Sequence, residues 1–281
     1  MKRLRRICRN TVVLTAGLLG AAAVFAGCTY LEISGRPSEQ STALRVGVTP
    51  DYPPIIYRQG GKIAGLEAEL ARALAKHTGR QLQFVTVRWQ QQIPALLNGK
   101  IDIIMSGMTI TPAREVRIKF AEPYLQTGLM AAARPGTEDR FPDREAITRM
   151  VGHIGVMEGS TATSFVRRQC TRARATYVSD LTEAFLALRG RRIDLFIHDA
   201  PAIAWLVSEH ETSVKPLWFP LTEDYLAWGI RGSNRQLMNE ANAALAIWKQ
   251  NGTLETIVNR WLPYRPMVRE QYPDALVIPD A

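Results

Sequence analysis

Apolar positions along this chain change their spacing in a regular cycle, and each change predicts a new element. Leu44–Val48 is a short apolar run, Gly65–His77 carries helically spaced apolar residues and is closed by Gly79, and Leu82–Val87 is short again. Runs this short suit strands, whereas several turns of i, i+3, i+4 spacing suit a helix. Ile93–Leu97 then reads as a helix ended by Asn98-Gly99, and Ile101–Met105 as a third strand. A second cycle opens near Val151, with strands at His153–Met157, Thr176–Ser179 and Ile193–His198 and helices at Ser160–Arg172, Leu181–Leu188 and Pro201–Ser208. Strand and helix taking turns predict a parallel sheet covered on both faces.

The two cycles echo one another. Each has a helix, a glycine, basic residues and Ile-Asp: Gly99-Lys100-Ile101-Asp102 in the first, Gly190-Arg191-Arg192-Ile193-Asp194 in the second. The echo predicts an α/β protein of two Rossmann-like lobes. Leu129–Arg134 and Tyr225–Arg231 are expected to be the two crossing strands, with breaks at Pro135-Gly136 and Gly232. Lobe 1 is then 43–132 with 227–262, and lobe 2 is 133–226. Asn234–Lys249 is strongly helical, and 263–281 is a proline-containing extension without an assigned role.

The first 27 residues differ from this pattern. Lys2, Arg3, Arg5, Arg6 and Arg9 precede a charge-free apolar stretch, Thr11–Ala26, and small residues lead into Cys28. That is the build of an export signal, and Ala26-Gly27-Cys28 resembles a bacterial lipobox in which Cys28 receives lipid. An ordinary cleaved signal and an uncleaved anchor are the other readings. Residues 28–42 are polar and suit a tether. The whole chain of 281 residues carries a net charge of +9. Five of its 35 Lys and Arg residues lie in the signal, so 30 basic and 26 acidic side chains remain, a net charge of +4. No basic stripe accompanies it, so nucleic acid is not an expected partner. Cys170 is left without a pairing cysteine; a buried small residue and, beside Arg167, Arg168 and Arg172, a somewhat reactive thiol are the two readings. The four histidines show no metal-ligand spacing, and neither metal nor cofactor is expected.

The chemistry concentrates in Met105-Ser106-Gly107-Met108-Thr109-Ile110-Thr111-Pro112-Ala113-Arg114. Small residues after a buried strand let a ligand approach the backbone, Ser106 and Thr109 add hydroxyls, and Arg114 offers a planar fork of donors suited to a carboxylate. No nucleophile stands beside a base. In parallel sheets ligands bind at the carboxyl ends of strands, here Thr49–Tyr52, Ser106–Thr109, Met157–Thr161 and His198–Asp199. These ends converge only if the lobes face each other.

Together with Leu44-Arg45-Val46-Gly47-Val48, Tyr52-Pro53-Pro54, Gly65-Leu66-Glu67-Ala68-Glu69-Leu70 and Ile93 to Asp102, this run resembles the polar-amino-acid family of periplasmic solute-binding proteins (extracellular solute-binding family 3). The likeness spans about Leu44 to Leu262. It implies the type II periplasmic binding protein fold, closed by a helix over Gly252–Trp261. It also implies a monomeric receptor outside the cytoplasmic membrane that delivers a free amino acid, or similar small zwitterion, to an ABC importer permease.

The resemblance gives Arg114 the ligand's α-carboxylate, assisted by the amide and hydroxyl at Thr109, and gives Asp199 its α-ammonium. Asp199 also sits where an N-cap would, and Arg114 where a surface arginine would open a helix. His198 resembles part of a His-Asp pair of glutamine-binding members, or is a buried histidine satisfied by backbone. Ser160 and Thr161 cap a helix, present donors to the carboxylate, or both. Trp89 and Tyr52 occupy the family's aromatic positions, with wall packing as the alternative. Many relatives carry an aspartate where this chain has Thr49, with Asp51 two residues on, and some glutamine binders a lysine where it has Met157. The missing carboxylate weighs mildly against a cationic ligand side chain, with Asp51 or Glu158 able to compensate. Two other functions fit the same fold: a cyclohexadienyl dehydratase-like enzyme, with Glu158 and Glu122 as candidate acids, and a lipid-anchored sensing module.

Overall fold

The computed structural model describes residues 43–273 and 275–280, so the signal, Cys28 and the tether lie outside the described residues. Two five-stranded sheets with the same strand order form the body. In the first, Gln81–Thr86, Ala43–Val48 and Ile103–Ile104 run parallel, followed by antiparallel Gly229–Ile230 and then Lys119–Phe120. In the second, Ala173–Val178, Gly152–Met157 and Leu195–Asp199 run parallel, followed by antiparallel Leu129–Ala133 and then Lys215–Leu217. Two α/β lobes are therefore present, as the repeated cycle predicts.

The sequence echo has a structural meaning. Asp102 accepts the Arg45 amide at 2.9 Å and pairs with the Arg45 guanidinium at 2.6 Å. Asp194 accepts the His153 amide at 2.9 Å and faces Arg134 at 3.5 Å. In both lobes one aspartate thus ties the start of the third strand to the parallel strand beside it and satisfies an amide that the ladder leaves unpaired.

Helices cover the sheets because their apolar faces match. Leu66–His77 buries Leu66, Leu70 and Leu74 completely, and Arg235–Gln250 buries Leu237, Ala241, Ala244 and Leu245. Each leucine so buried contributes roughly 1.5–3 kcal/mol before entropy is counted. The closing helix Thr253–Trp261 returns to the first lobe, where the Trp261 indole donates to Glu69 at 2.7 Å and Arg260 pairs with the same carboxylate.

The crossing strands differ from expectation. The two-stranded sheet between the lobes is Leu125–Thr127 with Asp224–Leu226, while Leu129–Ala133 is paired into the second sheet and Gly229–Ile230 into the first. Pro135-Gly136 and Gly232 end the sheet strands that follow the crossing, and this explains why such breaks misplace it.

The extension carries a helix, Arg265–Gln271, whose first residue is buried. Arg265 donates to Leu276 O at 2.5 Å, Glu255 at 2.6 Å and Asn259 at 2.8 Å. Val277 O then accepts the amide of Gln126, on a crossing strand, at 2.7 Å. Cys170 is buried, and burial pushes its thiol up to about 11, which removes the reactive reading.

Candidate functional site

The carboxyl ends of the central strands open onto one cavity of about 750 Å3 between the lobes. All eleven residues singled out for binding line it: Thr49, Tyr52, Trp89, Ser106, Gly107, Thr109, Arg114, Ser160, Thr161, His198 and Asp199. Their side chains divide between those facing the cavity and those that hold the wall.

Arg114 rides on a one-turn helix, Pro112–Glu115, capped by the Thr111 hydroxyl. Its Nη1 donates to Thr109 O at 2.7 Å, its Nη2 reaches Gly159 O of the other lobe at 3.5 Å, and its guanidinium lies 5.2 Å from the centre of the Trp89 ring. Burial lowers its pKa, and Asp199 and Asp224 act in the opposite direction. A guanidinium has five N–H donors, so the fork keeps capacity for a carboxylate.

Asp199 ends the strand Leu195–Asp199 and is 5% exposed. Although it stands at the N-cap of Ala200–Glu209, its side chain makes no capping bond. Instead, Oδ2 accepts the Tyr52 hydroxyl of the opposite lobe at 2.9 Å, and Oδ1 is buried without a partner. Burial pushes the carboxyl up to about 6, against the Tyr52 bond and the Arg114 charge. No salt bridge joins Arg114 to Asp199 among the described residues, although both line the cavity and their charges act on each other.

His198 is neutral. Its Nδ1 accepts the Asp199 amide at 2.7 Å, and burial lowers its pKa to about 4. The alternative of a buried histidine satisfied by backbone fits this geometry. The ring lies 4.8 Å from that of Tyr52, centre to centre.

Four expectations change. The Thr49 hydroxyl donates to Val87 O at 2.7 Å and accepts Gln92 Nε2 at 2.9 Å, while its amide donates to Ser106 Oγ at 2.8 Å; the threonine is committed to the wall. The Gly107 amide points to the Glu67 carboxylate, away from the cavity. At φ +66°, a Cβ on Gly107 would come within 2.5 Å of the Tyr52 ring, so the closeness of backbone here serves Tyr52. Trp89 donates to Gly159 O at 3.1 Å and lies beneath Arg114, acting more as a seat for the guanidinium than as an open aromatic face. Glu122 lies outside the cavity, where its amide bonds Asn242, so only Glu158 of the two candidate acids lines the site.

Ser160 caps Thr161–Gln169, its Oγ accepting the Thr163 amide at 3.2 Å and donating to Met157 O at 2.6 Å. This leaves the Thr161 amide, at the first helical position, available to an anion as helix N-termini are. Gln92 and Glu67 were missed by sequence reading. Both are fully buried and polar; Glu67 is pushed up to about 8, chiefly by burial, with Gly107, Tyr124 and Trp228 pulling the other way.

The family model for bacterial extracellular solute-binding proteins, family 3, matches residues 44–264. The ABC transporter arginine-binding protein 1 of Escherichia coli (strain K12) is 28% identical over 228 residues, covering 78% of this chain and 90% of that one. A solved ancestral amino acid-binding protein, described as a precursor of cyclohexadienyl dehydratase, superposes with a TM-score of 0.73 at 30% identity, over 78% of this chain and 95% of that one. The cyclohexadienyl dehydratase of Pseudomonas aeruginosa is 31% identical over a shorter stretch of 162 residues, 57% of this chain and 60% of the enzyme.

Proposed function

We propose, from the premise that this chain belongs to the bacterial extracellular solute-binding proteins, family 3, that it is a receptor for a free amino acid and serves an ABC importer. The observation that carries this reading is the pair Arg114 and Asp199. They are opposite charges from opposite lobes, both lining one cavity, with Asp199 Oδ1 buried and unpartnered. An unpaired buried charge is costly, and a zwitterion supplies both missing partners at once. Its carboxylate would sit on Arg114 with the Thr109 side and the Thr161 amide, and its ammonium on Asp199, which Tyr52 orients.

The same contacts couple binding to shape. Tyr52–Asp199, Trp89–Gly159 and Arg114–Gly159 all cross between the lobes. A ligand that completes them favours the closed form, which an importer can distinguish from the open one. The pivot of this motion is Leu125–Thr127 with Asp224–Leu226. Lobe 1 on this reading is 43–124 with 227–262, and lobe 2 is 128–223. The receptor acts as a monomer in the periplasm or cell envelope, anchored to a membrane by lipid on Cys28, and catalyses no reaction.

Melting temperature measured across the amino acids and related dicarboxylates tests the reading. A rise with at least one free amino acid, lost in Arg114→Ala, is the expected result; no rise with any of them defeats it. The similarity to the dehydratase keeps an enzymatic reading in the same screen. Turnover of arogenate or prephenate, abolished by Glu158→Gln, would establish it in place of the receptor.

A further inference from the structure

Beside the two groups that meet a zwitterion, the cavity is lined by another acidic residue, Asp51, that no salt bridge engages among the described residues. Asp51 directly precedes Tyr52 on a two-residue strand and is half-buried. It lines the cavity together with Thr86 and Arg88, and apart from its own amide it meets no hydrogen-bond or salt-bridge partner among the described residues. Burial pushes its carboxyl up to about 6; its own amide draws it back in part, and Asp180 of the other lobe adds to the rise. A like charge acting on Asp51 from the other lobe is an interaction that a ligand cation would relieve.

The remaining charges narrow the choice. Asp180 is already engaged, capping Leu181–Arg189 by accepting the Glu183 amide at 2.8 Å. Glu183 accepts the Ser179 amide at 2.8 Å and pairs with Arg192 at 3.2 Å. Once Arg114 and Asp199 are neutralised by the two ends of an amino acid, Asp51 and Glu158 face a single lining cation among the described residues, Arg88. The excess is negative. Thr49, where many relatives carry an aspartate, has its hydroxyl and amide committed to Val87, Gln92 and Ser106, so the charge enters from two residues further along.

Resting on the receptor reading above, we propose that the ligand is an amino acid with a cationic side chain, guanidinium or ammonium, and that Asp51 receives that cation. The missing carboxylate at Thr49 therefore does not weigh against a cationic ligand, because this chain supplies one from a different register. Asp51 is the specificity-determining residue, while Arg114 and Asp199 hold what every amino acid shares.

Titration calorimetry with matched pairs separates the two layers: arginine against citrulline, and lysine against 2-aminoheptanoate, which keep the length and remove the charge. The wild-type protein is expected to bind the charged member of a pair at least about tenfold more tightly. Asp51→Asn should remove most of that preference and leave the neutral member within about threefold. Asp51→Ser serves as the second variant, and a melting temperature at least equal to that of the wild type shows that each is folded. Equal binding of charged and neutral members, or a preference that survives in Asp51→Asn, overturns the cation subsite while the receptor reading stands. Binding of no amino acid at all, cationic or neutral, overturns the receptor reading and this inference with it.

Discussion

The strands Ile103–Ile104 and Leu195–Asp199 hold the same third place in their sheets, and they end differently. The first stops after two paired residues, so Met105–Thr109 becomes a loop turned by Gly107, and Arg114 arrives later on its own helical turn. The second stays paired over five residues and passes straight into Ala200–Glu209, which leaves Asp199 clamped between strand and helix. A short strand with a long loop collects hydrogen-bond donors from several places. A long strand running directly into a helix fixes one acceptor. The cleft is thus rich in donors on one wall and holds a rigid carboxylate on the other, from two lobes of the same topology.

Removing the donor wall should do most damage. Arg114→Ala is expected to weaken amino-acid binding by about 100-fold or more in calorimetry, since it leaves a ligand carboxylate buried without its partner. Its loss also removes a guanidinium that lies over the Trp89 ring and reaches Gly159 O of the other lobe, while the direct Trp89–Gly159 bond remains.

Asp199→Asn breaks the acceptor wall, with an expected loss of about 30-fold. The variant should behave differently from Arg114→Ala in its stability. The Asp199 carboxyl lies above its usual value, at about 6, so the fold favours the protonated form. The stabilising contribution of this group is therefore complete below about pH 4 and is lost as pH rises through about 6. The unliganded Asn variant should gain melting temperature relative to the wild type over that interval. Wild-type affinity should move the other way, falling by up to about tenfold per pH unit below pH 6, because the ammonium needs the ionised carboxylate. Among the groups around it, Tyr52, Arg114, His198, Tyr124 and Asp224, His198 titrates below this range and does not set the midpoint.

Tyr52→Phe tests the link between the walls. It removes the hydroxyl that donates to Asp199 Oδ2 and should cost about 5- to 10-fold in affinity. It should also move the pH midpoint upward, because that bond favours the ionised carboxylate. The smallest effect is expected beneath the donor wall. Glu67 is held at about 8, so it is mainly protonated at neutral pH. Glu67→Gln keeps an acceptor for the Gly107 amide and should change stability by less than about 1 kcal/mol, whereas Glu67→Ala strands a buried amide and should cost about 1–3 kcal/mol in denaturant titration.

Much of this architecture was legible in the sequence because apolar spacing encodes burial directly. Strand Gln81–Thr86 and helix Leu181–Arg189 fall within a residue of the expected spans, and the Ile-Asp echo marks the equivalent ties at Asp102 and Asp194. The crossing strands were displaced because glycine and proline mark where a strand ends, not which partner it has. Within the site, residue types pointed to the right cavity but not to the direction of each bond. Thr49 and Gly107 turn their polar groups into the wall, and Asp199 leaves its helix uncapped to face the cleft. Such directions depend on pairing between segments distant in sequence, as with Tyr52 and Asp199.

The claim at the centre of this account is that the cleft grips both ends of one zwitterion. Calorimetry with the best-binding amino acid, its N-acetyl derivative and its carboxamide tests that claim most directly. Binding by the free amino acid, with a loss of about 100-fold or more when either end is blocked, is the predicted result. Equal affinity for a blocked derivative would show that Arg114 and Asp199 do not hold those two ends, and would contradict the account.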